Sequence, residues 1–339
     1  MWYVVNPNLI LYNARDMDMS FHFTTQEEAI IATIAYFALF EYPLTMFEVW
    51  QYLLCAPREV KIHDIDDIIS TSARIHSVIK QKDGLIFLTG RGGDTSVRLD
   101  RYRDAEKKYI IARRAVRLLA GIPFVKLICV VNRLSYSNSR PEGDIDLFIV
   151  AGDRHVWLVR FLCTTLMHIL GKRPGQHTVS NALCLSFFIS DKNLSLESLQ
   201  LACDQEGIPD IHFALWLTQF VPIYDTGGVY RHWYDANRWV EKYVPNRIAT
   251  TTHERRTVRL LGIQKLIKKI GEYFFSIGGI YMEAVAKWYQ MKFVAPDIKK
   301  MVNRDTRVVM NDGVLKFHSN DRRQEVRDKF KTLLKVLCG

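Results

Sequence analysis

FVKLICVVNRLSYSNSRPEGDIDLFIV, residues 124–150, holds the reading that decides the fold. Two short apolar runs, Phe124 to Val131 and Leu147 to Val150, are rich in β-branched residues and read as strands. The polar loop between them carries Ser135, Ser137 and Ser139 and ends in Gly143-Asp144-Ile145-Asp146. Side chains alternate faces along a strand, so Asp144 and Asp146 point the same way. Two neighbouring carboxylates repel each other unless a cation or solvent offsets them. A divalent cation is the natural partner, because Mg²⁺ favours one or two carboxylates completed by phosphate oxygens. The bland alternative is a solvated strand end with Asp146 bonded to loop amides.

This stretch resembles the core of the nucleotidyltransferase superfamily, the fold of DNA polymerase beta and of the kanamycin and CCA-adding enzymes. The pattern there is a strand, Gly-Ser, a loop of about ten residues, then Ser-Asp-x-Asp-hydrophobic on the next strand. Gly143-Asp144-Ile145-Asp146-Leu147 matches the second half, while Asn132-Arg133 stands where Gly-Ser is expected. The segments YFALFEYPLTMFEVWQYLL, WLTQFVPIYD, HWYDANRWVEKYVPN and LKFH extend the resemblance to a group of uncharacterised bacterial nucleotidyltransferase-like proteins. The resemblance implies that Asp144 and Asp146 are catalytic metal ligands for Mg²⁺ or Mn²⁺. It also implies that Arg133, Ser135 and Ser137 approach a nucleoside triphosphate, and that the nucleotidyl group passes to a hydroxyl acceptor.

Two departures from the family pattern point towards altered or lost chemistry. Glycine allows close backbone approach because it lacks a Cβ, and Asn132 and Arg133 are bulkier. Arg133 is able to bind phosphate bidentately, or to serve as an ordinary surface arginine. The active enzymes also take a third acid from a neighbouring strand. The run ALCLSFFIS offers Ser186 there, with Asp191 just past its end. The alternative function is therefore a catalytically degenerate nucleotidyltransferase fold that binds nucleic acid or protein.

The expected architecture is α+β, in three parts: a winged helix-turn-helix over 24–92, a nucleotidyltransferase-like α/β core over 100–192, and a helical domain over 193–339. In the first part, Thr24 or Thr25 caps a helix, Thr45 and Glu48 form a capping box, and a third helix spans Asp64 to Lys80. Asp83-Gly84 then turns a hairpin. A basic helix follows over 100–119, with Tyr109, Ala112, Val116 and Leu119 as its buried stripe. Its Arg101, Arg103, Lys107, Lys108, Arg113, Arg114 and Arg117 form a candidate nucleic-acid surface. Residues 1–23 read as a lead-in or an extra edge element. Lys172 and Arg173 read as a solvated helix end, where the dipole favours cations, or as a nucleotide contact.

A formal charge of +10 over 339 residues favours polyanionic partners. The six cysteines lack metal-ligand spacing, and Cys129 and Cys184 read as small buried hydrophobes. Free thiols and an amino terminus without a basic-then-apolar leader suit the cytoplasm. No membrane contact is expected: the most apolar tract, 270–289, is interrupted by Glu272, Glu283 and Lys287 and reads as a buried or amphipathic helix pair. GRGG at 90–93 lacks the Gly-Lys-Ser/Thr of a phosphate loop. The oligomeric state is not legible.

Overall fold

The computed structural model describes residues 23–57, 60–91, 95–171 and 181–338. The expectations for residues 1–22 and for Lys172 and Arg173 lie outside the described residues. The described chain is a mixed α+β structure with two sheets.

The amino-terminal part begins with α1 (Gln26–Ala38), and Thr25 is its cap, accepting from the Glu28 amide in a capping box. A two-residue strand, β1 (Leu44–Thr45), leads into α2 (Met46–Gln51), again through a Thr45–Glu48 box. The single helix expected over 64–80 is two, α3 (Ile62–Thr71) and α4 (Ala73–Val78). Ser72 is the break: its backbone is extended, and its hydroxyl accepts from the Ile75 amide and so caps α4. Lys80 belongs to β2 (Ile79–Lys82), which pairs antiparallel with β3 (Leu85–Leu88) across Asp83-Gly84. Both turn residues have positive φ, 54° and 73°, as a tight hairpin requires. β1 adds on the far side, giving the order β1-β3-β2.

The second sheet has six strands in the order β7-β4-β5-β6-β9-β8. Its centre is β4 (Val125–Val130), antiparallel to β5 (Ile145–Ala151), which runs parallel to β6 (Leu183–Ser190). The one-turn helix α6 (Asn132–Ser135) follows β4, and α7 (Val156–Ile169) connects β5 to β6. The expected strands are therefore present. The expected carboxy-terminal helical domain is not separate, because the segment after residue 193 returns three strands to this sheet. β7 (Val221–Asp225) pairs with β4, β9 (Val314–Phe317) with β6, and β8 (Val308–Met310) with β9. Runs such as Val221 to Tyr224 are too short to show a period of their own, and it is pairing with an existing edge that makes them strands.

Both faces of the sheet are covered, and strand alternation sorts the side chains between them. Phe148 and Val150 face one core; Ile145, Leu147 and Ile149 face the other. The first core is continuous with the amino-terminal part and with α8 (Ile211–Thr218), α9 (Val229–Ala236) and α12 (Arg323–Cys338). Residues 24–92 thus share one apolar interior with the sheet. Trp233 and Phe220 stack at 4.6 Å within it, which accounts for the dense aromatics after Trp216. The second core lies under α5 (Thr95–Leu119), α7 and the long α10 (Gly262–Phe293), which precedes α11 (Pro296–Met301). The stripe Tyr109, Ala112, Val116 and Leu119 is buried, as the periodicity of α5 requires. The tract at 270–289 lies within α10, which is two helical stretches meeting at Gly279, whose φ of 40° and ψ of −123° are not helical, so the expected pair is present. Among the described residues, no helix is long and apolar enough to cross a membrane.

A buried ionic network ties α8, β9 and α12 together. Arg323 donates to Asp210 at 2.8 Å, to both oxygens of Asp321 and to the carbonyl of Leu199. Lys316 reaches Asp321 at 3.3 Å. Removing one partner of such a network strands the other charge out of water, at a cost of about 3–5 kcal/mol. Arg323→Ala is therefore expected to lower unfolding stability by that amount in a urea titration, while Arg322→Ala, whose guanidinium is solvated, leaves it nearly unchanged. Equal effects from the two variants would contradict the buried network.

Candidate functional site

Asp144 and Asp146 open into one cleft of about 750 Å³. Asp146 is the second residue of β5, on the face of Phe148 and Val150, and Asp144 lies just before the strand on the same side. The walls come from distant parts of the chain: Tyr36 of α1 and Phe40 just after it, Asn132 and Arg133 of α6, Trp216 of α8, and the stretch from Lys316 to Lys329. Arg133, Arg140, Arg322 and Lys329 also line the cleft, together with Glu142 and Glu325, and Glu325 pairs with both Arg322 and Lys329.

Burial raises the Asp146 carboxyl, and the nearby Asp144 raises it further; hydrogen bonds from the Asn132 and Cys184 side chains oppose this. Burial likewise raises Asp144, against the pull of the Lys108 ammonium, which donates to the Gly143 carbonyl. A carboxyl raised by folding takes up its proton more readily in the native state, so each acid destabilises the folded chain more as pH rises through its folded pKa. A cation bound between the two would remove that penalty.

Asn132 stands where glycine was expected, and its backbone is left-handed, with φ of 57°. Asparagine is among the few residues besides glycine that adopt this region readily. Its side chain is committed, with the carbonyl accepting from the Trp216 indole at 2.7 Å. Of the three residues expected at the triphosphate, Arg133 lines the cleft. Ser135 is buried, and its hydroxyl donates to the Asn132 carbonyl at 2.6 Å. Ser137 is not among the lining residues; it sits at a left-handed turn, with φ of 58°. Ser139 lines the cleft instead.

The position of the third acid is held by other chemistry. Asp146 lies opposite Cys184 in the parallel β5–β6 register. Cys184, expected to be a small buried hydrophobe, is half-buried and bonded to Asp146, whereas Cys129 is fully buried. Ser186 bonds Cys184 and meets the Nε2 atom of His318 at 3.0 Å. Asp191 is at the other end of the strand, its amide donating to the carbonyl of Ala151. Five residues separate Ala151 from Asp146, roughly 17 Å at strand rise. Among the described residues, no group of three or more His, Cys, Asp or Glu side chains is arranged to hold a metal. The donor set fits a single hard cation on two carboxylates, with phosphate oxygens completing its shell.

Sequence reasoning missed the wall from β9 onwards. LKFHSNDRR, residues 315–323, supplies Lys316, His318, Asp321 and Arg322; its LKFH entered the sequence reading only as part of the family resemblance, with no place at the site. Burial would raise Asp321, but Arg323 and Lys316 outweigh it and hold the carboxyl at about 2. Burial lowers Lys316 to about 8. The far wall is aromatic, with the His212 ring stacked on Phe40 and its Nδ1 atom 2.6 Å from the Tyr36 hydroxyl.

The basic helix divides in two. Arg101 is turned inward, bonding to the Glu41 carboxylate and to Asn138, and Lys108 is buried at Gly143. Arg103, Lys107, Arg114 and Arg117 stay exposed, with Arg103 paired to Asp100 and Lys107 to Asp104. The candidate nucleic-acid surface therefore loses Arg101 and Lys108.

Comparison with family models, with curated proteins and with solved structures finds no match for this chain.

His212 and His318 are both lowered by burial, to about 4. The unfolded chain protonates its histidines near 6.5. Stability present above that pH is therefore lost progressively as pH falls towards 4, because the unfolded state takes up protons first. Imidazole NMR signals of the two are expected to titrate near 4. Titration of either near 6.5 would show that its ring is solvated.

Proposed function

We propose that this chain is a nucleotidyltransferase-like protein that takes a nucleoside triphosphate and one Mg²⁺ or Mn²⁺ ion in the cleft at Asp144 and Asp146. The observation that carries this reading is the pair of burial-raised carboxylates side by side in a cleft that Arg133 and Arg140 also line. Anionic phosphates complement the arginines, and a divalent cation complements the pair. Asp144 and Asp146 would hold the ion, which supplies charge neutralisation at the phosphate when bound. Arg133 and Arg140 donate to phosphate oxygens, and the aromatic wall at Phe40 and Trp216 offers faces for a base. The acceptor is a hydroxyl compound of unassigned class.

A specific observation favours a second reading, in which the cleft binds nucleotide without transfer. Ser186 stands in place of the third acid, and the Asn132 side chain is taken up by Trp216 and Asp146. With two acids in place of three, metal charge at the site is less compensated. Binding and transfer are therefore separate questions.

The helix–strand–helix order and the hairpin of the amino-terminal part support reading residues 24–92 as a winged helix. Asp66 and Asp67 are exposed on α3 and oppose phosphate approach there. This favours a packing or protein-docking role for the module. Any nucleic acid would then meet the exposed face of α5.

Calorimetry with each nucleoside triphosphate, with and without Mg²⁺ or Mn²⁺, is expected to give metal-dependent binding of modest affinity. Asp144→Ala/Asp146→Ala should abolish the metal dependence, and binding unchanged in that variant would refute the site. Single-stranded and duplex nucleic acids are expected to bind the full chain weakly, without sequence preference and with a steep salt slope. Reversing Arg114 and Arg117 to Glu should flatten that slope. Tight, sequence-selective binding insensitive to those changes would overturn the assignment to α5.

A further inference from the structure

The helix α10 is amphipathic the wrong way round for a surface helix. Four of its polar side chains point in and pin it. Lys268 donates to the Ala120 carbonyl and to the Tyr224 hydroxyl, both at 3.0 Å. Glu272 accepts from the Phe124 amide at 3.0 Å. Glu283 accepts from the first amides of α7, those of Trp157 at 2.8 Å and Leu158 at 2.9 Å. Gln290 donates to the Trp157 carbonyl. Gly271 lets the helix close on the domain, since a Cβ there would lie 2.6 Å from Pro123.

The outward face is apolar instead. Seven large side chains between Ile263 and Ile277, all in the helical stretch before Gly279, are 57–73% exposed. They follow a heptad rule: Ile263, Ile270 and Ile277 at the first position, Leu266 and Tyr273 at the fourth, Ile267 and Phe274 at the fifth. Sustained spacing of this kind is the seam of helix-to-helix packing. Monomeric proteins rarely leave a contiguous apolar patch of more than a few hundred Å² open to water. Covering this seam would bury on the order of 1,000 Å² per copy, against roughly 800 Å² per partner in a stable interface of standard size.

We propose that α10 is the interface of a homodimer, in which the seam of one copy packs antiparallel on the seam of the other. A two-fold axis makes one patch complementary to itself, as a single self-matching heptad seam requires. Charge sets the direction. The exposed ionic residues flanking the seam are Lys265 and Lys269, both in its first half, and the exposed face carries no acid. Parallel pairing would set these lysines beside their own copies, whereas antiparallel pairing sets them against the partner's apolar second half and also opposes the helix dipoles. The midpoint of the seam places the axis beside Ile270.

The test is the mass and cross-linking of the full chain. Sedimentation is expected to give twice the 39.4 kDa chain mass, and Ile270→Glu/Ile277→Glu, at two exposed positions, should give a folded monomer with unchanged circular dichroism. In a Cys203→Ser/Cys338→Ser background, Ile270→Cys is expected to form an inter-chain disulfide. Ile263→Cys should not, because antiparallel copies of that residue lie about 20 Å apart along the helix. Cross-linking at both positions would overturn the antiparallel arrangement. A wild-type chain that stays monomeric at its highest soluble concentration would overturn the dimer, as would a double variant that still dimerises. A monomer that floats with phosphatidylglycerol vesicles would assign the seam to a lipid surface and would equally overturn it.

Discussion

Strand β5 is covered on both faces, and this constraint shapes the rest of the molecule. A strand between two cores must be apolar at every position, because an unpaired buried carboxylate is costly. From Leu147 to Ala151 it is. The exception is Asp146, at the end where one covering layer gives way to a cleft. The amino-terminal helices, α8 and the turn after β9 stop short of that end and wall it instead of filling it. The carboxylate pair is therefore held at the mouth of a strand buried on both faces, with its charge only partly offset by Lys108.

The walls need their own anchoring, and the Arg323 network supplies it. Asp210 at the start of α8, Lys316 on β9, and Asp321 and Arg323 beside α12 are joined within one buried cluster. Such a cluster adds little net stability compared with apolar packing, but every member must be present for any to be tolerated. It fixes the register of the carboxy-terminal return against the sheet. That return in turn puts His318 opposite Ser186 and brings Arg322 and Lys329 to the rim of the cleft.

The long helix α10 shows the same logic turned outward. Lys268, Glu272, Glu283 and Gln290 are taken up by backbone groups of α7, by the Phe124 amide and by the carbonyl at the end of α5. A helix fixed in this way is held to the domain by hydrogen bonds, and its apolar stripe is left facing away. Hydropathy along the tract could be read as a buried helix or an amphipathic one. The direction of its apolar face depends on which backbone groups elsewhere need partners.

Local chemistry was legible where it was strong. The capping boxes at Thr25 and Thr45, the Asp83-Gly84 turn, the buried stripe of α5 and the paired apolar strands around Asp144 and Asp146 each follow from interactions within a few residues. Local chemistry also said that the two acids share a face. The break at Ser72 was missed because a single serine cap competes with helical periodicity on both sides. Strands β7, β8 and β9 exist only because a sheet edge awaited them, so the short runs that form them looked like parts of a helical segment. The inward turn of Arg101 and Lys108, the burial of Ser135, the distance of Asp191 and the lining of the cleft were all decided by tertiary structure. Each depends on residues from separate elements, tens of positions or more apart, meeting in space, or on which face of an element a core happens to cover. Spacing along the chain carries no record of either.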